Sequence, residues 1–524
     1  MPRSCSMRLR ATSLLIASLA AAGASAATLR IASGNDPQSL DPHSLALLYQ
    51  SRVVSQVYES LVNRDRNFAL EPSLALSWQP VDARTWRFRL RPNVRFHDGS
   101  PFTADDAVFS IERALARTSQ RSFQLRGVTG ARKVDDHTID ILLSAPDAVL
   151  PDKLLLLGMM SKAWAQKHGV LAPQDYNAKQ ETYAVRNANG TGPYKLRSYE
   201  SDNRTVLVAH DAWWGERGNV DEATFIVITS DATRLAALAS GQVDVVIDPP
   251  FQDIARLKRD AQYRIVETGD IGTQYLGFDQ ARDTLEASTV KGRNPFKDLR
   301  VRRAIAQAID TDAIIQKVLR GQGTSTGSFV SKLVDGYDPA LDRRLPFDPA
   351  KARALLKEAG YADGFGVTLD CVAITWRAAA CQAIAGMLAQ VNVKVTFVSA
   401  PAAQFFPKLT GATSSFFEFG WTPTSDPWTM LNAIVRSHGD GTGTFNGGRY
   451  SNPKLDAIVD AIRVEPDLAK RRQLSRDALA IMADDLPLIP LYRRTLAWAM
   501  RADVDAAIWP NDILELRFVR VGKP

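Results

Sequence analysis

The chain is poor in the residue types from which metal sites and redox centres are built. Among 524 residues there are three cysteines and six histidines. The histidines (His43, His97, His137, His168, His210 and His438) are scattered, with neither an HExxH pair nor a Cys/His grouping, so no metal site is expected. No Cys-x-x-Cys occurs, which argues against a thiol redox centre. The glycine-rich stretch 437–448 matches neither GxGxxG nor a P-loop, so it reads as a cleft-edge loop and not as a phosphate cradle. Long apolar runs are missing beyond the N-terminus. Residues 154–160 are too few to cross a bilayer, which takes about 20. Charge of one sign is missing too, with 64 Lys and Arg against 57 Asp and Glu. Arg87, Arg89, Arg91 and Arg95 form the one basic cluster and read as a solvated strand face, so no nucleic-acid partner is expected.

What is present begins with an export signal. Arg3, Arg8 and Arg10 precede an apolar run at 14–22, and Ala24-Ser25-Ala26 makes a small-x-small cleavage site. A signal peptide spanning 1–26 is expected, and its three arginines take the net charge from +7 to +4. No cysteine stands at the cleavage point, so a lipid anchor is not indicated. Cys371 and Cys381 lie on an expected strand and the helix after it. In an oxidising compartment they suit a structural disulfide, with free thiols as the open alternative.

The stretch 85–115 organises the mature chain. Trp86, Phe88 and Leu90 alternate with arginines as a half-buried strand, Pro92-Asn93 turns, and 94–96 makes a short second strand. Thr103 N-caps a helix with Asp106 three residues on. Further on, Gly323-Thr324-Ser325-Thr326-Gly327 fits the G-x-S-x-G pattern of serine hydrolases, but an expected helix, not a strand, precedes it. From 349 to 398 helices and strands alternate, the mark of a mostly parallel sheet.

The segment LRPNVRFHDGSPFTADDAVFS resembles the signature of the oligopeptide- and dipeptide-binding family, the solute-binding proteins of ABC importers. The resemblance continues in order through Ser39-Leu40-Asp41-Pro42, Gly190-Thr191-Gly192-Pro193-Tyr194, Ser240-Gly241-Gln242-Val243-Asp244, the 295–310 helix, 450–456 and Leu486-Pro487-Leu488-Ile489-Pro490-Leu491-Tyr492. It implies an α/β fold: a type II periplasmic-binding-protein clamp of two lobes with an additional third α/β subdomain. Lobe I is expected at 27–62, 186–272 and 494–524, the extra subdomain at 63–185 and lobe II at 273–493, with a hinge at 189–194.

The resemblance also implies capture of a peptide-like solute between the lobes and delivery to an inner-membrane ABC permease. The expected protein is a periplasmic monomer that is not an enzyme and needs no cofactor. Candidate ligand contacts are Asn35, Trp376, Arg377, Gly420, Trp421, Thr422, Thr424, Asp426 and Trp428. Trp376, Trp421 and Trp428 would be walls, Arg377 would meet a carboxylate, and Asn35, Thr422 and Thr424 would hydrogen-bond. Peptide-binding members place an aspartate soon after the Gly-Trp pair to hold the peptide's ammonium. Here Pro423 and Thr424 occupy that region, and Asp426 stands at a different offset, where it also suits an N-cap. The same clamp for a sugar, opine or chelated metal is therefore an alternative, and a secreted hydrolase using Ser325 is another.

Overall fold

The computed structural model describes residues 27–522 apart from 179 and 440, so the expected signal peptide lies outside them. The fold hangs on the strand Leu488–Arg501, 14 residues long. Its burial is continuous over 488–492 and 496–500 and lapses between them at Arg493, Arg494 and Thr495. Buried on both faces, the ends serve as central strands of two sheet halves, and the lapse marks where the chain passes between them. On one side Leu488–Tyr492 pairs antiparallel with Thr273–Phe278. On the other, Leu496–Arg501 pairs with Val245–Ile247 and Tyr263–Gly269. The short pass from Gly269 to Thr273 is the second connection, and the Asp270 amide donates to the Arg494 carbonyl at 2.9 Å. Together the halves make one 12-stranded mixed sheet.

In the first half, Thr28–Ser33 runs parallel to both Val245–Ile247 and Glu222–Val227. In the second, Phe365–Val372 and Val393–Ala400 are parallel and joined by the helix Thr375–Ala389, as the alternating pattern predicts. Phe416–Trp421 lies between Phe365–Val372 and Thr273–Phe278.

Within 63–185 a separate antiparallel sheet runs in the order Ala75–Asp82, Thr85–Leu90, Thr138–Leu143, Val128–Asp135. Phe88, Phe96, Phe102, Ile111, Ile139 and Ile141 give it a core of its own. The helix Ala104–Leu115 starts with the expected capping box of Thr103 and Asp106. Several local expectations are corrected. Residues 94–96 form only a bridge, Arg95 to Pro101, because the chain turns at once. The apolar run at 154–160 is not helical: the helix Leu150–Lys153 stops before it, and Leu156 takes a left-handed φ of 59° that no α-helix continues through. The arginine face is only partly solvated: Arg87 reaches the buried Asp140 at 2.8 Å, and Arg91 stacks 3.7 Å from the Trp214 ring centre.

The 189–194 segment is a packed junction and not a hinge. A Cβ on Gly190 would stand 1.9 Å from the Val57 carbonyl oxygen, and Gly192 donates to that same oxygen at 2.9 Å. These glycines are there for close backbone approach.

Candidate functional site

Strand directions place the site. Ile247 lies opposite Trp498, so the carboxyl end of Val245–Ile247 points along the long strand toward Thr495 and the crossing. The parallel strand Thr28–Ser33 ends at the same rim. In the other half Trp421 lies opposite Thr273, and Phe365–Val372 is parallel to Phe416–Trp421, so both of these carboxyl ends also face the crossing. Open α/β sheets bind ligands at such ends, and here two sets of them face each other.

Trp376 is half-buried in the first turn of its helix, between two guanidinium groups: Arg377 lies 4.7 Å and Arg494 5.1 Å from its ring centre. Arg377 Nη1 donates to both carboxylate oxygens of Glu418 at 2.8 Å, and Glu418 is fully buried. Burial pushes the Glu418 carboxyl upward, and the guanidinium beside it pulls the other way. Arg494 Nη2 donates to Asp270 Oδ2 at 3.0 Å, which ties the two passes together. Gly420 leaves room for Gln274, whose Oε1 would sit 2.3 Å from a Cβ there. Around this cluster Gln274 Oε1, Tyr275 OH, Trp421 Nε1, Tyr492 OH and Arg494 Nε are buried without a hydrogen-bond partner among the described residues. Buried polar atoms are nearly always satisfied, so this concentration calls for water or a solute.

The structure therefore gathers Trp376, Arg377, Gly420 and Trp421 at the crossing, with the exposed Thr422 beside Gly272. Asn35 is exposed on the opposite rim, its backbone tied to Ser33 Oγ. The rest of the loop is occupied differently. Asp426 is buried, receives Arg471 Nε and the Trp428 amide at 2.8 Å each, and burial raises its carboxyl to about 6. Thr424 Oγ1 donates to the Asp426 carbonyl at 3.0 Å. Trp428 is buried with Lys153 Nζ 4.4 Å from its ring centre. This loop also meets the 63–185 segment through Asp152, which binds Ser425 and, at 3.1 Å, Arg64. Sequence reasoning passed over Glu418, Asp270, Gln274, Tyr275, Tyr492 and Arg494. A lone glutamate in the apolar run Phe416-Phe417-Glu418-Phe419 and an Arg-Arg pair inside a long apolar strand were the signals.

Cys371 and Cys381 are joined as a disulfide, stapling the strand to the helix that presents Trp376 and Arg377. Ser325 sits on the strand Gly323–Ser325 opposite Tyr492, the next helix beginning only at Pro349, so the strand–serine–helix elbow of hydrolases does not form. Among the described residues no group of three His, Cys, Asp or Glu side chains is placed to hold a metal ion, and no helix is long and apolar enough to cross a membrane.

With the geometry in place, comparison with known proteins gives the class. The chain belongs to the bacterial extracellular solute-binding proteins, family 5, whose middle-region model matches residues 69–442. It is 26% identical over 525 residues to the dipeptide-binding protein of Escherichia coli K12, covering 94% of each chain. It is 28% identical over 466 residues to heme-binding protein A of Haemophilus influenzae, covering 83% of this chain and 81% of that one. Among solved structures, a periplasmic binding protein of Helicobacter pylori associated with an ABC transporter, in complex with the peptide STSA, superposes with a TM-score of 0.77 at 22% identity. That match covers 95% of this chain and 98% of the other. These relatives carry the two-lobe clamp, and they are binding proteins.

Proposed function

We propose that this protein captures a short peptide or peptide-like solute at the crossing and presents it, enclosed between the lobes, to an ABC permease. Export through the 1–26 signal would place it in the periplasm as a monomer. The proposed lobes are 27–62, 186–272 and 494–524 against 273–493, with 63–185 packed beside them. Trp376 and Trp421 form walls, Gln274, Tyr275 and Tyr492 offer hydrogen bonds, and hinge motion at 269–273 and 492–495 excludes water. No bond is broken, so no nucleophile or base is required. The observation that carries this reading is the set of partnerless polar atoms at a crossing faced by strand ends from both halves.

Mass spectrometry of solutes retained by the purified protein, followed by calorimetry with short peptides, tests it. Retained or titrated peptides support the reading. Failure of a varied peptide library, with a non-peptide solute retained instead, overturns the peptide class and leaves the clamp intact. One observation favours that second class: Asp426, the only acid of the 420–428 loop, is already taken by Arg471 and the Trp428 amide. Heme-binding protein A, among the relatives, is a family member named for such a ligand.

A further inference from the structure

A peptide brings an ammonium group, and the loop after Trp421 has no open carboxylate to receive it. The carboxylates at the crossing are closed by short contacts. Glu418 holds Arg377 at 2.8 Å, and Asp270 holds Arg494 at 3.0 Å and the Gly272 amide at 2.7 Å. Asp512 holds Arg52 at 2.6 Å and Trp498 Nε1 at 2.9 Å. Asp248 differs from all of these. It directly follows the strand Val245–Ile247, on the rim whose direction leads to the crossing, and its side chain is 57% exposed. Its ion-pair contact is Arg52 Nη1 at 3.6 Å, on a guanidinium whose Nη2 and Nε already serve the Asp512 carboxylate and carbonyl. Its φ of 52° turns the chain there into Pro249-Pro250, leaving the carboxylate at the strand's end.

We propose that Asp248 is the specificity-determining residue that receives the ammonium group of the solute, a role the second half's loop has given up to Arg471. The inference rests on the peptide reading and deepens it. In the structure the carboxylate is more than half exposed, its ion-pair contact with Arg52 is long, and Arg494 also acts on it electrostatically. Once the Trp376 and Trp421 walls close over it, water leaves and an ammonium–carboxylate pair strengthens in the lower dielectric. The partial claim of Arg52 on Asp248 then yields to the incoming cation, because Arg52 keeps its shorter bonds to Asp512.

A random tripeptide library supplied half as free amines and half N-acetylated, and read by native mass spectrometry, tests this. The wild-type protein is expected to retain free-amine peptides at least tenfold over acetylated ones. Asp248→Asn is expected to lose that preference and bind both forms weakly and alike. Asparagine tolerates the left-handed backbone at this position, so the variant keeps its fold, and a thermal melt matching wild type verifies that. Equal retention of both forms by the wild type, or an undiminished amine preference in Asp248→Asn, overturns the proposal and leaves the peptide reading standing. Retention of neither form by the wild type removes the peptide reading and this proposal together.

Discussion

Two buried arginine–carboxylate pairs in this molecule look alike and do different work. Arg113 and Asp41 are both fully buried and joined by two bonds of 2.7 and 2.8 Å. Every remaining lone pair and proton of that cluster is used: Arg113 also donates to the carbonyls of Val170 and Ala172 and to His43 Nδ1, and Asp41 also accepts the amides of His43 and Gln174. Arg377 and Glu418 are held through a single guanidinium nitrogen, and the polar atoms around them, Gln274 Oε1 and the Tyr275 and Tyr492 hydroxyls, lack partners among the described residues. A saturated pair fixes structure, whereas an unsaturated one leaves hydrogen-bonding capacity for something that arrives later. The first pair locks the seam between the first half and the 63–185 segment; the second stands where the halves meet.

The sharpest way to break this contrast is Arg113→Met, which leaves Asp41 charged, buried and unpaired. It should cost about 3–5 kcal/mol of unfolding free energy by urea titration, and a loss under about 1 kcal/mol would show the seam to be less committed than its bonds suggest. A buried carboxyl elsewhere gives a pH signature. Glu59 lines a small cavity and accepts both indole N–H groups of Trp213 and Trp214, yet burial raises its carboxyl to about 7. The folded protein therefore binds a proton there more tightly than the unfolded chain does. The resulting stability is full below pH about 4.5 and is lost as pH rises through about 7, in all roughly 3 kcal/mol. Glu59→Gln should flatten that descent in stability measured from pH 4 to 8. An unchanged slope would place the titration elsewhere.

Breaking the disulfide tests the support of the unsaturated region. Its ten-residue separation predicts a loss of about 2.5 kcal/mol from loop entropy on Cys371→Ala with Cys381→Ala, read by denaturant melts with and without reductant. Retained solute should also weaken, since Trp376 and Arg377 hang from that turn. The smallest expected change in stability is Tyr492→Phe. Its hydroxyl has no hydrogen-bond partner among the described residues, so unfolding free energy should move by less than about 0.5 kcal/mol, while solute affinity falls several-fold by calorimetry. A large loss of stability instead would mean that the hydroxyl is bonded within the empty protein.

Much of the architecture was legible in local chemistry. The Thr103–Asp106 capping box, the alternation of Trp86, Phe88 and Leu90, and the strand–helix–strand run from 365 to 400 each follow from short-range rules. The hinge implied by resemblance at 189–194 is absent there because two glycines and a proline mark a rigid turn without recording what packs against it. Only the nearness of Val57, some 130 residues away in the chain, decides for crowding. The site was legible by half. Trp376, Arg377 and Gly420-Trp421 sit at the crossing because an expected helix start and an expected strand end bring them there. Asp426 and Trp428 look equally suitable in the sequence, but Arg471 and Lys153 arrive from distant segments and occupy them. Glu418, Asp270 and Arg494 escaped because their meaning lies in pairings across sheet halves, which no local pattern records.

Hydrogen–deuterium exchange of the purified protein, with and without a bound short peptide, bears most directly on the central claim. The account predicts new protection at 269–278, 416–424 and 488–495, together with 245–248 on the facing rim, while the already saturated seam around Asp41 and Arg113 stays unchanged. Protection confined to that seam or to the cavity beside Glu59, with the crossing unaffected, would contradict it.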